Sequence, residues 1–293
     1  MKSAVAGVGI YTPSASEASA PLIEGAACTG VSHRVQAAQG LTTPSLAAGA
    51  ARAALAAANV SPDAIELIMV GTTSPDVLWP STACLVQTEL GVPFVASFDL
   101  YAAQAGIVTA LNIADRFIAT GVRGALVIGA ESDNPLVGLP RQNTPYGRAA
   151  AAILLRGAGG DAGLLGGIIG GAATADGKTH DEVLLRGLSE AVDQCLKKAH
   201  IDLSDIDLVI GDQTAPGVMR TWAATASIPA ERLLLDPPRY RRAFAAAPFI
   251  ALHDAVKETR LRPGRVALIV SCGAGPAWAV ACLRWGDGAI AAW

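Results

Sequence analysis

The chain has 293 residues, 52% of them aliphatic, aromatic or cysteine and only 16% charged, with a net charge of −3. That length accommodates one large domain or two intimately packed halves, and the apolar excess points to buried strands together with a subunit interface. The slight negative balance argues against nucleic-acid binding; no apolar run of about 18 residues reaches across a membrane, so no membrane partner is expected and a cytoplasmic location is.

In chain order, a small-residue helix is predicted over Ala47–Ala58, followed by an apolar strand ending at Val70 and a turn that closes on Thr73-Ser74-Pro75. A second strand ends at Leu100, a small-residue turn follows, and an apolar helix runs from about Gln104 to Thr120. The strand Ala125-Leu126-Val127-Ile128-Gly129 comes next, then a glycine-rich stretch, 157–172, that reads as a connector between halves. Beyond it lie a helix over Glu182–Ala199, strands ending at Ile210 and Val270, and a glycine turn at 273–275. Helices of about 15 residues alternating with short β-rich runs argue for sheets covered by helices. Such sheets carry ligands at the C-terminal ends of their strands, so the turns after Val70, Leu100, Ile210 and Val270 are expected to converge.

The order repeats. Asn59-Val60-Ser61-Pro62-Asp63 through Thr73-Ser74-Pro75 recurs as His200-Ile201-Asp202-Leu203-Ser204 through Thr214-Ala215-Pro216, 141 positions on (75 to 216). Ala125–Gly129 recurs as Ala267–Ser271, 142 positions on (125 to 267). Two segments sharing one offset indicate a duplicated unit, with halves at 1–160 and 161–293. Cysteines 28, 84, 195, 272 and 282 form no C-x-x-C pair, and the four histidines have no ligand spacing, so no metal is expected. His253, on an amphipathic helix, reads as structural. No phosphate-cradling glycine loop follows a strand, and no cofactor is expected.

The residue opening the helix after Leu100 sits at the positive end of a helix dipole, where a thiolate nucleophile would be favoured. Here it is Gln104, whose amide cannot attack a thioester. Gly71-Thr72-Thr73-Ser74-Pro75-Asp76, Pro80–Gln87, Ser97-Phe98-Asp99-Leu100, Ala125–Glu131 and the closing Trp278…Leu283-Arg284-Trp285 resemble β-ketoacyl-ACP synthase III of the thiolase superfamily. The resemblance covers about residues 28–156 and 183–286. It implies a duplicated α/β thiolase fold, five-layer αβαβα with two mixed, mostly parallel sheets, normally dimeric. It also implies condensation of an acyl group with malonyl-ACP by a Cys-His-Asn set. Carried over by position, that set becomes Gln104, Asp212 and Arg242, while the oxyanion turn corresponds to Gly273-Ala274-Gly275. Cys28-Thr29-Gly30 stands where the family's Arg-Thr-Gly holds coenzyme A, and the stretch between Gly163 and Asp181 is shortened.

A lone buried carboxylate is strongly disfavoured, so Asp212 and Arg242 are expected to pair. Three functions follow from the resemblance. The chain is a subunit without the nucleophile, as chain-length factors are. It then pairs with an intact synthase III-like paralogue in fatty-acid-derived or polyketide biosynthesis, or with itself as a homodimer. Alternatively it is a malonyl-thioester decarboxylase, or an acyltransferase or hydrolase with relocated chemistry and Cys272 as substitute nucleophile. An acyl carrier protein is a further expected partner, docking through basic residues such as Arg220, Arg241 and Arg260.

Overall fold

The computed structural model describes residues 2–12, 42–132, 148–158, 161–171, 179–213, 216–235, 243–273 and 277–290. Its strands are β1 (Lys2–Tyr11), β2 (Leu67–Gly71), β3 (Ala96–Leu100), β4 (Gly124–Glu131), β5 (Ala149–Ala158), β6 (Gly163–Gly171), β7 (Leu208–Ile210), β8 (Leu233–Leu234), β9 (Val266–Gly273), β10 (Ala277–Arg284) and β11 (Ala289–Ile290). The helices are α1 (Thr43–Ala57), α2 (Thr82–Leu90), α3 (Gly106–Ala119), α4 (His180–Ala199), α5 (Pro216–Thr225) and α6 (Ala247–Lys257).

One sheet has the order β11-β1-β5-β4-β2-β3 and the other β6-β10-β9-β7-β8. Without the two-residue β11, the orders are the same pattern written twice. The sequence offset reappears in the strands: β2 and β7 begin 141 positions apart (67 to 208), β4 and β9 142 apart (124 to 266). Both sheets are mixed. β2 runs parallel to β3 and β4, and β7 to β8 and β9, whereas β5 and β10 return antiparallel beside their neighbours.

Side-chain alternation along the strands sets the layers. Leu67, Met69, Ala125 and Val127 turn inward onto α3 and α6, as do Ala267 and Ile269 from the other sheet. Ile68, Val70, Leu126 and Ile128 face α1 and α2 on one outer side; Leu268 and Val270 face α4 and α5 on the other. Strands buried on both faces read as unbroken apolar runs, and each buried Ile or Leu contributes about 1.5–3 kcal/mol. The result is the expected five-layer αβαβα arrangement.

Local chemistry explains the element ends. α1 begins four residues before the expected Ala47, because Thr42 accepts the Ser45 N–H in a reciprocal cap and Pro44 suits the first turn. α4 starts behind a Thr179–Glu182 capping box and ends on His200 in the left-handed region. One expectation is only partly met: the chain does pass from one sheet to the other within 157–172, between β5 and β6, but Gly163–Gly171 is strand β6, paired with β10, and not connector. Its glycines serve close approach. A Cβ on Gly166 would meet the Cys195 carbonyl at 2.9 Å, and one on Gly167 would collide with Asn112 Oδ1. No helix among the described residues is long and apolar enough to cross a membrane.

Candidate active site

β3 ends at Leu100, and three residues later Ala103 takes φ +44°, a left-handed conformation that a residue with a Cβ seldom adopts. The Gly106 N–H returns to the Ala103 carbonyl at 3.1 Å, closing the turn that carries Gln104. Two glycines let this elbow sit flat on the sheet: a Cβ on Gly71 would lie 2.9 Å from Ile107 N, and one on Gly106 3.1 Å from the Leu100 carbonyl oxygen. Gln104 is half-buried, just ahead of the first turn of α3, where the helix dipole is positive.

Asp212 follows β7 and is 2% exposed. Its Oδ2 accepts the Cys272 N–H at 2.8 Å and lies 2.9 Å from Ser271 Oγ. The same Ser271 hydroxyl donates to the Gln104 carbonyl at 2.6 Å. One serine at the end of β9 thus joins the elbow of one half to the carboxylate of the other. Gln104, Asp212 and Cys272 are brought together as the strand-end argument anticipated. Ser271 was not singled out by sequence reasoning, although the repeat offers a signal: a hydroxyl replaces the glycine of the matching position, Gly129.

Cys272 is 1% exposed, and its thiol is pushed up both by burial and by the negative charge of Asp212. Both effects favour the inert thiol over the thiolate. Arg241, Arg242, Ala274 and Gly275 lie outside the described residues, and with them the expected Asp212–Arg242 pair; Cys28-Thr29-Gly30 does too. Gly273 closes β9 opposite Ala277. Of the proposed carrier-docking residues, Arg220 is exposed on α5, while Arg260 is half-buried and donates to the Glu231 carbonyl at 2.9 Å. His253 is buried on α6 with Nδ1 3.3 Å from Asp254 Oδ1, in keeping with a structural role.

A second carboxylate was also missed. Glu131, at the end of β4, is fully buried. It accepts the Thr73 N–H at 3.0 Å, the Thr73 and Ser74 hydroxyls at 2.9 and 2.7 Å, and the Ala245 N–H at 3.4 Å. Burial pushes its acid up to about 7 in spite of these donors. Among the described residues, no three His, Cys, Asp or Glu side chains cluster as metal ligands.

β3 is the outer strand of its sheet. Asp99 on it accepts the Thr82 and Ala83 N–H groups, both at 2.7 Å, fixing α2 beside the edge. A groove of about 560 Å³ opens there, lined by Leu78, Trp79, Cys84, Phe98 and Tyr101 among others. Trp79 and Phe94 flank β3 at 86% and 92% exposure, and with Leu78 and Tyr101 they add to the apolar surface around this groove.

The duplicated sheets and the elbow at a strand's C-terminal end define a thiolase-like fold of the condensing-enzyme class. Residues 98–173 match the model of 3-oxoacyl-[acyl-carrier-protein] synthase III and residues 196–285 that of its C-terminal part. The chain is 32% identical over 286 residues to the β-ketoacyl-[acyl-carrier-protein] synthase III of Xanthomonas campestris pv. campestris strain 8004, 88% of each chain being covered. It is likewise 32% identical over 274 residues to that of Aquifex aeolicus, with the same coverage. The crystal structure of the Aquifex aeolicus synthase III superposes with a TM-score of 0.85 at 28% identity, over 97% of this chain and 100% of that one. That of Pseudomonas aeruginosa gives 0.85 at 26%, over 98% and 99%. The chain belongs to the β-ketoacyl-[acyl-carrier-protein] synthase III family of the thiolase superfamily.

Proposed function

We propose that this chain is the non-condensing member of a pair, assembled through its β3 edge with an intact synthase III-like subunit in fatty-acid-derived or polyketide-type biosynthesis. One observation carries the reading: the elbow at Gln104 has a left-handed residue, close glycine contacts and a cross-half hydrogen bond, and the side chain it carries is a carboxamide. A carboxamide has no nucleophilic atom for acyl transfer. Condensation also needs donors at the thioester oxygen as charge develops there. Asp212 offers a carboxylate at the position of the family's histidine, which would oppose that charge. The frame is kept where the reaction's reagents are replaced, as expected for a subunit retained for the sake of its neighbour.

The exposed Trp79, Phe94 and Tyr101 beside an open strand edge suit such assembly. An edge of this kind pairs with another strand unless covered, and a family partner presenting the same edge would extend the sheet across the interface.

The test is co-expression with a cysteine-bearing synthase III-like protein from the same source. Native mass spectrometry reads the assembly, and product mass spectrometry reads condensation and carbon dioxide release. A mixed dimer, with condensation in the mixture alone, is the expected result. Carbon dioxide release by the lone chain, abolished by Gln104→Ala, would replace this reading with that of a decarboxylase; an acyl adduct on Cys272 would replace it with relocated acyl transfer.

A further inference from the structure

The elbow at Gln104 has a twin. Phe244 takes φ +40°, and it stands three residues before α6 just as Ala103, at φ +44°, stands three before α3. Each elbow meets the strand-end layer of the other half. The Gln104 carbonyl is bound by Ser271 on β9, while the Ala245 carbonyl lies against Gly129 on β4, so tightly that a Cβ there would overlap it. The first elbow bears the position of the family's nucleophile. The second follows Arg242 by two residues and leads directly into α6.

A non-glycine residue in the left-handed region needs its surroundings to hold it. In the second elbow the N–H of Ala245, next to Phe244, faces the Oε1 of Glu131, and that oxygen also accepts the Thr73 N–H. The other carboxylate oxygen takes the Thr73 and Ser74 hydroxyls. All four donors come from two segments, the loop after β2 and the turn before α6, and Glu131 itself ends β4. A fully buried carboxylate carries a heavy desolvation penalty. Four converging donors offset that penalty only while the carboxyl group stays where these segments meet.

We propose that Glu131 is the positioning residue of the second elbow: its side chain, reaching across from the N-terminal half, sets the Phe244–Ala245 peptide and so the start of the wall that the C-terminal half brings to the site. The role is one of acceptor geometry. A neutral group with an oxygen in the same place suffices; a charged group placed short does not. This inference concerns the frame of the site and stands whether or not the chain condenses acyl groups.

The experiment is amide hydrogen exchange by mass spectrometry on the purified chain, following peptides that contain Ala245 beside peptides from α1 as a remote control. Three variants are compared. Glu131→Gln keeps an acceptor oxygen at full reach and an NH2 group for the rotatable Thr73 and Ser74 hydroxyls; protection at Ala245 stays within about threefold of the parent. Glu131→Asp keeps the charge but withdraws it by one bond, about 1.5 Å, and Ala245 exchanges about tenfold faster while α1 is unchanged. Glu131→Ala behaves as Glu131→Asp or worse; if it does not fold, the Gln and Asp variants decide. Equal protection at Ala245 in the Asp variant and the parent overturns the proposal, and so does loss of protection in the Gln variant.

Discussion

Ala103 and Phe244, 141 positions apart (103 to 244), both occupy the left-handed backbone region, at φ +44° and +40°. Duplication has therefore preserved more than strand order. It has kept a strained turn at the head of each central helix, and the two turns are held from opposite halves by different means. Ser271 supplies a hydroxyl to one; Glu131 supplies a carboxylate to the other.

Ser271→Ala removes the donor to the Gln104 carbonyl and one contact of Asp212 together. Asp212 Oδ2 keeps the Cys272 N–H, so the main loss is at the half-buried Gln104 carbonyl, and an acceptor left without its donor there costs about 1–3 kcal/mol. The variant is expected to lose stability in that range, read as a lower urea midpoint with an unchanged slope. An unchanged midpoint would show that the hydroxyl bridges nothing of consequence.

The converse exchange, Gly129→Ser, fails more severely. A Cβ at Gly129 overlaps the Ala245 carbonyl and Ile107 Cδ1, and the first of these is backbone that cannot step aside. Overpacking against backbone is expected to cost more than about 3 kcal/mol. Thermal unfolding measurements, or loss of soluble protein, provide the check. The two positions are equivalent in the repeat and opposite in tolerance.

Much of this was legible in the sequence because it was local or repeated. Strand ends at Val70, Leu100, Ile210 and Val270 announce where the loops converge, and one offset ties the halves together. Ser271 and Glu131 were hidden because their partners are remote in sequence, from 57 positions away for Ser74 to 167 for Gln104. Nothing in the neighbouring residues marks either as special. The misreading within 157–172 has a different cause. Glycine composition signals freedom in a loop, but in β6 it signals crowding, since Gly167 makes room for Asn112, whose amide donates to carbonyls on α3 and β10 at 3.0 and 3.1 Å.

Glu131 gives a pH signature. Its acid moves from 4.5 to about 7 on folding, chiefly through desolvation. A raised folded value means that stability, relative to Glu131→Gln, is fully present below pH 4.5 and is lost as pH rises through about 7. That shift corresponds to a loss on the order of 3 kcal/mol. Urea midpoints of parent and variant are expected to lie close together at pH 5 and to diverge by pH 8, the variant being the more stable. Parallel curves across that range would mean that the carboxyl group is better solvated than its burial implies.

The β3 edge is expected to respond to backbone as well as side-chain changes. Ser97→Pro removes one edge N–H and should weaken assembly with little effect on the fold of the rest of the sheet. Trp79→Ala removes a side chain that is 86% exposed in the single chain. Analytical ultracentrifugation at micromolar concentration should show both variants shifted toward the monomer. A parent protein that is monomeric with and without its partner would end the interface argument.

Placing a thiol at residue 104 separates frame from chemistry. In Gln104→Cys the new sulfur stands at the positive end of α3, an environment that lowers a thiol pKa to about 3.5–7.5. The buried native thiols move the other way: Cys195 is pushed up to about 11 and Cys282 to about 12, and Cys272 is raised further still. Residue 104 should therefore be alkylated by iodoacetamide at pH 7 well ahead of those three, and should accept an acyl group from an acyl thioester. Condensation should not follow. Forming the new carbon–carbon bond requires donors to the malonyl thioester oxygen, and Asp212 presents a carboxylate whose Oδ2 already accepts the Cys272 N–H and lies against Ser271 Oγ. Adding Asp212→His and Arg242→Asn to Gln104→Cys is expected to yield condensation product, detected by mass spectrometry. If Gln104→Cys condenses without them, the carboxylate at 212 is compatible with the reaction, and residue 104 alone decides whether the chain condenses.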